Sequence, residues 1–307
     1  MKNCIYILCV LCLLSCNQDP LPENEAQVKN IQPVVIDADV LVEPKPVSLE
    51  DLEQEVLPRP LLVSGLKSIL DSFIEEKLPF DEPRVEVGQE DGKLRELWQV
   101  SWRKGRGKFG YRGEWYYVRS NEGHAIPPQV CADVIVDAFD RLGGSWWVDN
   151  KRYDSESSFT NFIKSYEKYP RRVPDLIHVM KSNPEYFEIL YSKERDGVRL
   201  KDFNQLQLLF NEFDLSLGDI VFINGPTPWD KKHEHWHSFF VYSLDMEKGD
   251  WEIVGNASMS AKRWLKSEAN RTPYRRVWYV FRPTTLFLDK VTNKERLGSF
   301  EQMETIR

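Results

Sequence analysis

Two stretches of the chain carry apolar side chains at helical spacing. Between Leu61 and Leu78 the apolar positions fall at Leu62, Leu66, Ile69, Leu70 and Phe73, which predicts a helix. Pro127-Pro128 then interrupts the chain, and Cys131, Val134, Ile135, Ala138, Phe139 and Leu142 follow at i, i+3, i+4, i+7, i+8 and i+11. Asp133, Asp137 and Asp140 lie opposite that stripe and Gly143-Gly144 supplies a stop, so the pattern predicts an amphipathic helix with Cys131 in its first turn. The stretch from Val85 to Val118, with glycines at 105, 107, 110 and 113, reads as loops or short strands, and Phe159 to Phe213 as mixed helix and loop. Four strand signals come later: Asp219 to Ile223, His237 to Leu244, Trp251 to Ala257 and Arg276 to Phe281, with a turn at Lys248-Gly249-Asp250. Helices followed by an antiparallel sheet make an α+β fold.

The N-terminus follows different rules. Cys4 to Leu14 is an apolar run behind Lys2, long enough for the core of a signal peptide and too short for the roughly 20 residues of a spanning helix. It ends in Leu13-Leu14-Ser15-Cys16, which resembles a bacterial lipobox; that resemblance implies export, cleavage after Ser15 and a lipid anchor on Cys16, in the inner or outer membrane. Residues 16 to 60 form an acidic, proline-rich tether: from 17 to 60 there are seven prolines, ten acids against three bases and no aromatic residue. Such a segment cannot offset its ordering entropy by burial. Within it, Val34-Val35-Ile36 and Leu41-Val42 are the only hint of a docked strand. The folded domain is expected over 61–307.

Charge and cysteine usage then narrow the function. The net charge of −7 resides in the tether, leaving the domain nearly neutral, so no whole-domain basic field exists for nucleic acid. Of five cysteines, four lie in the first sixteen residues, and a disulfide-stapled fold is excluded. Cys131 is the one thiol of the domain. A helix start favours thiolate, but the dipole contributes only about 0.3–1 kcal/mol, less than one pH unit, so an imidazole is needed to complete the activation. His237 opens the strand signal on one face with Phe239 and Val241, where it is expected to meet the start of the Cys131 helix. His124 reads as a loop histidine. His233, His235 and His237 alternate, but at 3.3 Å per residue they spread over about 13 Å, against the roughly 2.1 Å that each zinc ligand needs; neither a metal nor another cofactor is expected.

The motifs Val130-Cys131-Ala132-Asp133-Val134, Arg171-Arg172-Val173-Pro174-Asp175-Leu176, Gly218-Asp219-Ile220-Val221, His237-Ser238-Phe239-Phe240-Val241 and Ile253-Val254-Gly255-Asn256 occur in the order found in the NlpC-like, papain-related cysteine amidases of bacterial cell envelopes. The chain resembles a branch of that superfamily without an assigned function, over about residues 120 to 285. The resemblance implies a papain-like fold, Cys131 as nucleophile, His237 as general base, and amide bonds of peptidoglycan stem peptides or another envelope amide as substrate. The superfamily often has His where this chain has Gly255, so Asn256, one residue later, is the candidate orienting group. The usual Asp-Cys-Ser-Gly at the nucleophile is absent. Arg171 and Arg172 are candidates for a substrate carboxylate, and Trp146, with Trp147, Trp102 and Trp115, for a stacking surface. The basic runs Arg103 to Lys108 and Arg271 to Arg276 read as solvated faces. A catalytically silent lipoprotein that binds envelope glycan or a protein partner, and an amidase acting on protein or lipid acyl groups, remain as alternatives.

Overall fold

The computed structural model describes residues 57–81, 93–163, 172–193, 197–199, 203–226, 231–232, 234–245, 250–257, 260–265 and 275–294. The chain divides into units 1–53 and 54–307, and every described residue belongs to the second. Cys16, the leader, the tether up to residue 56 and the Lys248-Gly249 turn lie outside the described residues.

Helix α1 (Arg59–Glu76) starts two residues before the expected start of the domain at 61, with Pro60 in its first turn, where a missing N–H is harmless. Leu57 already belongs to the domain: it packs on the core, and its N–H donates to Asp289 at 3.4 Å. Burying Leu62, Leu66, Ile69, Leu70 and Phe73 is worth roughly 1.5–3 kcal/mol per side chain, enough to fix a helix that would be marginal in isolation.

Helix α2 (Lys93–Arg103) occupies a stretch expected to be loops or short strands. Leu94, Trp98 and Trp102, four residues apart, form its buried face. Its cap is remote in sequence: the Asp81 carboxylate accepts from the N–H groups of Leu94 (3.2 Å) and Arg95 (3.3 Å). Strands β1 (Lys108–Tyr111) and β2 (Glu114–Tyr117) then form a hairpin.

Helix α3 (Cys131–Leu142) begins at Cys131 and stops at Gly143, where an added Cβ would lie 2.1 Å from the Ser157 carbonyl oxygen. It is followed by hairpin strands β3 (Trp146–Val148) and β4 (Lys151–Tyr153), then α4 (Phe159–Ile163) and α5 (Val173–Lys181). Beyond these come β5 (Phe187–Ser192), α6 (Phe203–Glu212), β6 (Ile220–Asn224), β7 (His237–Asp245), β8 (Asp250–Ala257), β9 (Ser260–Leu265), β10 (Arg276–Pro283) and α7 (Thr285–Lys290).

Six strands form one antiparallel sheet in the order β5-β10-β6-β7-β8-β9. The two edge strands, β5 and β9, are absent from the sequence reading. The sheet separates two cores. Phe222, Phe240, Tyr242, Val254, Tyr279 and Phe281 face α1 and α3, whereas Val221, Ile223, Phe239, Val241, Ile253, Val277 and Val280 meet Leu209 and Phe210 of α6. On the first side Phe139 of α3 sets its ring edge-on to Phe240, with centroids 5.6 Å apart. The α+β architecture is thus an antiparallel sheet with helices on both faces. No described helix is long and apolar enough to cross a membrane.

Candidate functional site

The polar side of α3 is not solvated. Asp133, Asp137 and Asp140 are as buried as the apolar stripe, because α2 and the β3–β4 hairpin cover that face. Each carboxylate is matched. Asp133 accepts from the Val130 N–H at 2.8 Å, closing the helix start, and lies 3.6 Å from Arg95. Asp137 takes both arms of the Arg95 guanidinium (2.8 and 2.9 Å) and the Gln129 amide (2.8 Å). Burial works to raise the Asp137 carboxyl, but Arg95 and Gln129 override it and hold it below its ordinary value. Asp140 accepts from Arg152 (2.6 Å), from the Thr160 N–H (2.7 Å) and from the Thr160 hydroxyl; there burial prevails and the carboxyl is raised. This network fixes the angle of α3, and with it the position of the thiol at its start.

Cys131 is half-buried at the first position of α3. Burial pushes its thiol above the ordinary range. Hydrogen bonding from Ser238, through its backbone and its hydroxyl, and the charge of Arg275 pull it back in part, and Asp133 pushes it further up. The strand partner of the thiol is therefore Ser238, not His237.

Strand register accounts for this. Ser238 pairs with Phe222 and shares its face with Phe240, the face on which α3 lies. His237 pairs with Ile223 and alternates with Phe239 and Val241, which belong to the core on the α6 side; its ring centroid is 6.3 Å from that of Phe239. The expected grouping of His237 with Phe239 and Val241 is present, but that face is the one turned from α3. His237 is buried, and burial together with Arg275 lowers its imidazole to about 3, so it is neutral across the physiological range.

Arg275 links the two groups, acting on both the thiol and the imidazole. It stands immediately before β10, where Arg276 pairs with Asn224 of β6, one residue along from the Ile223–His237 pair. Its side chain is only 8% exposed, its Nε is enclosed without a hydrogen-bond partner, and among the described residues no carboxylate pairs with it. Burial lowers its pKa and the Cys131 sulfur raises it. The Ser238 hydroxyl is likewise enclosed and finds no hydrogen bond of normal geometry. Sequence reasoning placed Arg275 in a solvated basic run. Nothing in its local pattern separates it from Arg276, because its burial depends on three strand ends converging.

The remaining candidates lie elsewhere. Asn256 pairs through its backbone with Ala261 on β9, and its side chain lies outside the described residues. A Cβ added at Gly255 would lie 3.0 Å from the Phe239 Cβ, so any side chain there requires the neighbouring strand to give way. Arg171 is outside the described residues. Arg172 caps α5 and is paired with Asp175 at 2.8 Å, which accounts for its charge locally.

Trp146 is 6% exposed and cannot serve as a stacking surface. It lies against Phe73 (5.5 Å), Trp147 (4.9 Å) and the Arg141 guanidinium (4.7 Å). Trp102 and Trp147 are buried too, and only Trp115, 66% exposed, faces solvent. His124 is exposed in a turn. His233 is outside the described residues, and His235 precedes β7, donating its N–H to the Gly225 carbonyl at 3.0 Å. Among the described residues no group of three or more His, Cys, Asp or Glu is placed to hold a metal ion. Comparison of the chain with protein-family models, with curated proteins and with solved structures finds no match.

Proposed function

We propose that the protein is a cell-envelope cysteine amidase or peptidase of the NlpC-like, papain-related kind, anchored through Cys16 and acting on amide bonds of peptidoglycan stem peptides. The observation that carries this reading is the half-buried Cys131 at the start of α3, whose thiol is acted on by Ser238 and by the charge of Arg275. Cys131 attacks the amide carbonyl. Arg275 and the Ser238 N–H steady negative charge as the sulfur becomes thiolate, and the Cys131 and Ala132 amides at the helix start are suited to the oxyanion. His237 lies on the sheet face turned from α3, so in this scheme the thiol proton passes to the leaving amine through water, and water then releases the acyl group.

The energetic demand of this scheme is large. Burial raises the thiol and lowers the imidazole, so at rest both are neutral and proton transfer between them is uphill. The same two shifts favour a second reading, in which the site binds an envelope ligand without cleaving it, since no thiolate and imidazolium pair exists at rest.

Incubation of purified sacculi with the full-length protein separates the two. Hydrolysis predicts released stem fragments, reduced by about three orders of magnitude or more in Cys131→Ala with the circular dichroism spectrum unchanged. Sacculus binding with no release by the wild-type protein would establish the second reading. Mass spectrometry of the mature N-terminus tests the anchor: a diacylated Cys16 is expected, and an unmodified N-terminus would refute it.

A further inference from the structure

One of the two basic runs belongs to an ordered surface. Arg103 ends α2, and the backbone then folds back: the N–H groups of Lys104, Gly105 and Arg106 donate to the carbonyls of Val100 (3.2 Å), Trp102 (3.0 Å) and Ser101 (2.9 Å). The chain enters β1 at Lys108 and turns at Arg112-Gly113, whose positive φ values (51° and 84°) suit a tight two-residue hairpin loop, before returning along β2. Register assigns the two faces. Lys108 pairs with Tyr117 and Gly110 with Trp115 on one, whereas Phe109 pairs with Tyr116 and Tyr111 with Glu114 on the other. Phe109 and Tyr116 stack at 5.7 Å and pack on the domain core, so the first face is turned outward.

That outward face is aromatic and flanked by bases. Trp115 and Tyr117 are 66% and 68% exposed, and no other exposed large apolar side chains among the described residues stand so close in sequence. The Lys108 ammonium lies 4.7 Å from the centre of the Trp115 ring. The run from Arg103 to Lys108 contributes four exposed bases and Arg112 a fifth. The one exposed acid of the hairpin, Glu114, is on the inner register and accepts from the Tyr116 hydroxyl at 3.1 Å. Among the described residues Arg103, Lys104, Arg106 and Lys108 enter no ion pair, whereas Lys67 and Lys93 are paired with Asp71 and Glu96.

We propose that this hairpin face docks on an anionic phospholipid surface, with Trp115 and Tyr117 at headgroup level and the five bases against lipid phosphates. Trp and Tyr favour a membrane interface because one end of each ring system is apolar and the other polar, and adjacent bases are drawn to a negative leaflet. Each such base strengthens binding about fivefold. The outward register positions hold two aromatic rings, an ammonium and a glycine, with none of the amide or carboxylate groups that pair with sugar hydroxyls, so the face suits lipid over glycan. Because the domain as a whole is almost neutral, the attraction is confined to the hairpin and orients the domain on the surface. The proposal requires neither the hydrolase reading nor the Cys16 anchor.

Hydroxyl-radical footprinting of the full-length protein tests it, read by mass spectrometry on the peptide that carries Trp115 and Tyr117. The protein is placed on vesicles of phosphatidylcholine alone and of phosphatidylcholine with about one third phosphatidylglycerol. A lipid anchor acts equally on both, and an unlipidated chain can be added to the same vesicles. Labelling of Trp115 and Tyr117 should be lower on the anionic vesicles by about threefold or more, and salt at about 1 M, where the Debye length is about 3 Å, should remove the difference. Leu208, equally exposed on α6 across the sheet, should label alike on both. The double variant Arg106→Gln/Lys108→Gln changes only exposed positions and should bring the two vesicles within about 1.5-fold. Equal wild-type labelling on both vesicles, equal protection of Leu208, or protection undiminished in the double variant overturns the proposal. Protection by soluble polygalacturonate with none on the vesicles would overturn it in favour of a glycan. Release of stem fragments from sacculi alongside any of these would refute docking and leave the hydrolase reading standing.

Discussion

Helix α3 presents two kinds of buried charge within a few turns. Along its side, three carboxylates with no exposure are matched by Arg95 and Arg152, two guanidinium groups brought in by α2 and β4. At its start, Arg275, also buried, acts electrostatically on the Cys131 thiol and the His237 imidazole and has no carboxylate partner among the described residues. Matched charges fix geometry, since every lone pair and proton is satisfied within the protein. An unmatched one leaves a binding demand that only a ligand or a thiolate can meet. The comparison separates scaffold from site without reference to any relative.

The largest expected effect lies on the matched side. Removing Asp137 leaves Arg95 buried with only part of its partnership, so Asp137→Ala should destabilise the domain by about 3–5 kcal/mol in chemical denaturation. A cost below about 1 kcal/mol would show that this network is dispensable.

The next effect concerns His237. In the folded protein its imidazole stays neutral until pH falls to about 3, whereas in the unfolded chain it takes a proton below about 6.5. Between those values the unfolded state binds more protons, so stability contributed by the neutral imidazole is present above 6.5 and is lost as pH falls. At pH 4 the loss relative to pH 7 is about 3 kcal/mol. The decline in His237→Gln over the same range should be smaller by that amount; Asp140 and Asp219, whose carboxyls burial raises, work in the opposite sense but are common to both proteins. Identical pH profiles would place the imidazole in solvent.

The smallest effect is expected where the charge is unmatched. Arg275→Met removes a buried cation that lacks an ion pair, and stability should stay level or rise by up to about 2 kcal/mol. A loss like that of Asp137→Ala would make Arg275 a structural residue and erase the contrast.

How much of this was legible in the sequence depends on how local each determinant is. The helix of Cys131 was readable because its apolar stripe and Gly143 stop lie within fourteen residues. Helix α2 was not, because its cap, Asp81, comes from outside its own segment and the following glycines dominate the local pattern. Strands β6, β7, β8 and β10 sit inside the sheet and read as apolar runs. Strands β5 and β9 are its edges and carry polar residues out of the two-residue period, such as Glu188 or the consecutive Lys262 and Arg263, which blur it. At the site, the two-residue period correctly separated His237 from Ser238, but the period does not say which face meets the helix; the pairing of Phe222 with Ser238 decides that. Arg275 was least legible, since its environment arises only when the ends of β10, β6 and β7 come together.

The central claim is that burial holds the Cys131 thiol above its ordinary range, with Ser238 and, after it, the charge of Arg275 pulling it back in part. Its most direct test is the pH dependence of iodoacetamide labelling at the Cys131 peptide in wild type and Arg275→Met. The account predicts a wild-type midpoint above the ordinary thiol range, because burial outweighs Ser238 and Arg275, and a midpoint higher again once the cation is removed. Coincident midpoints in the two proteins would contradict it.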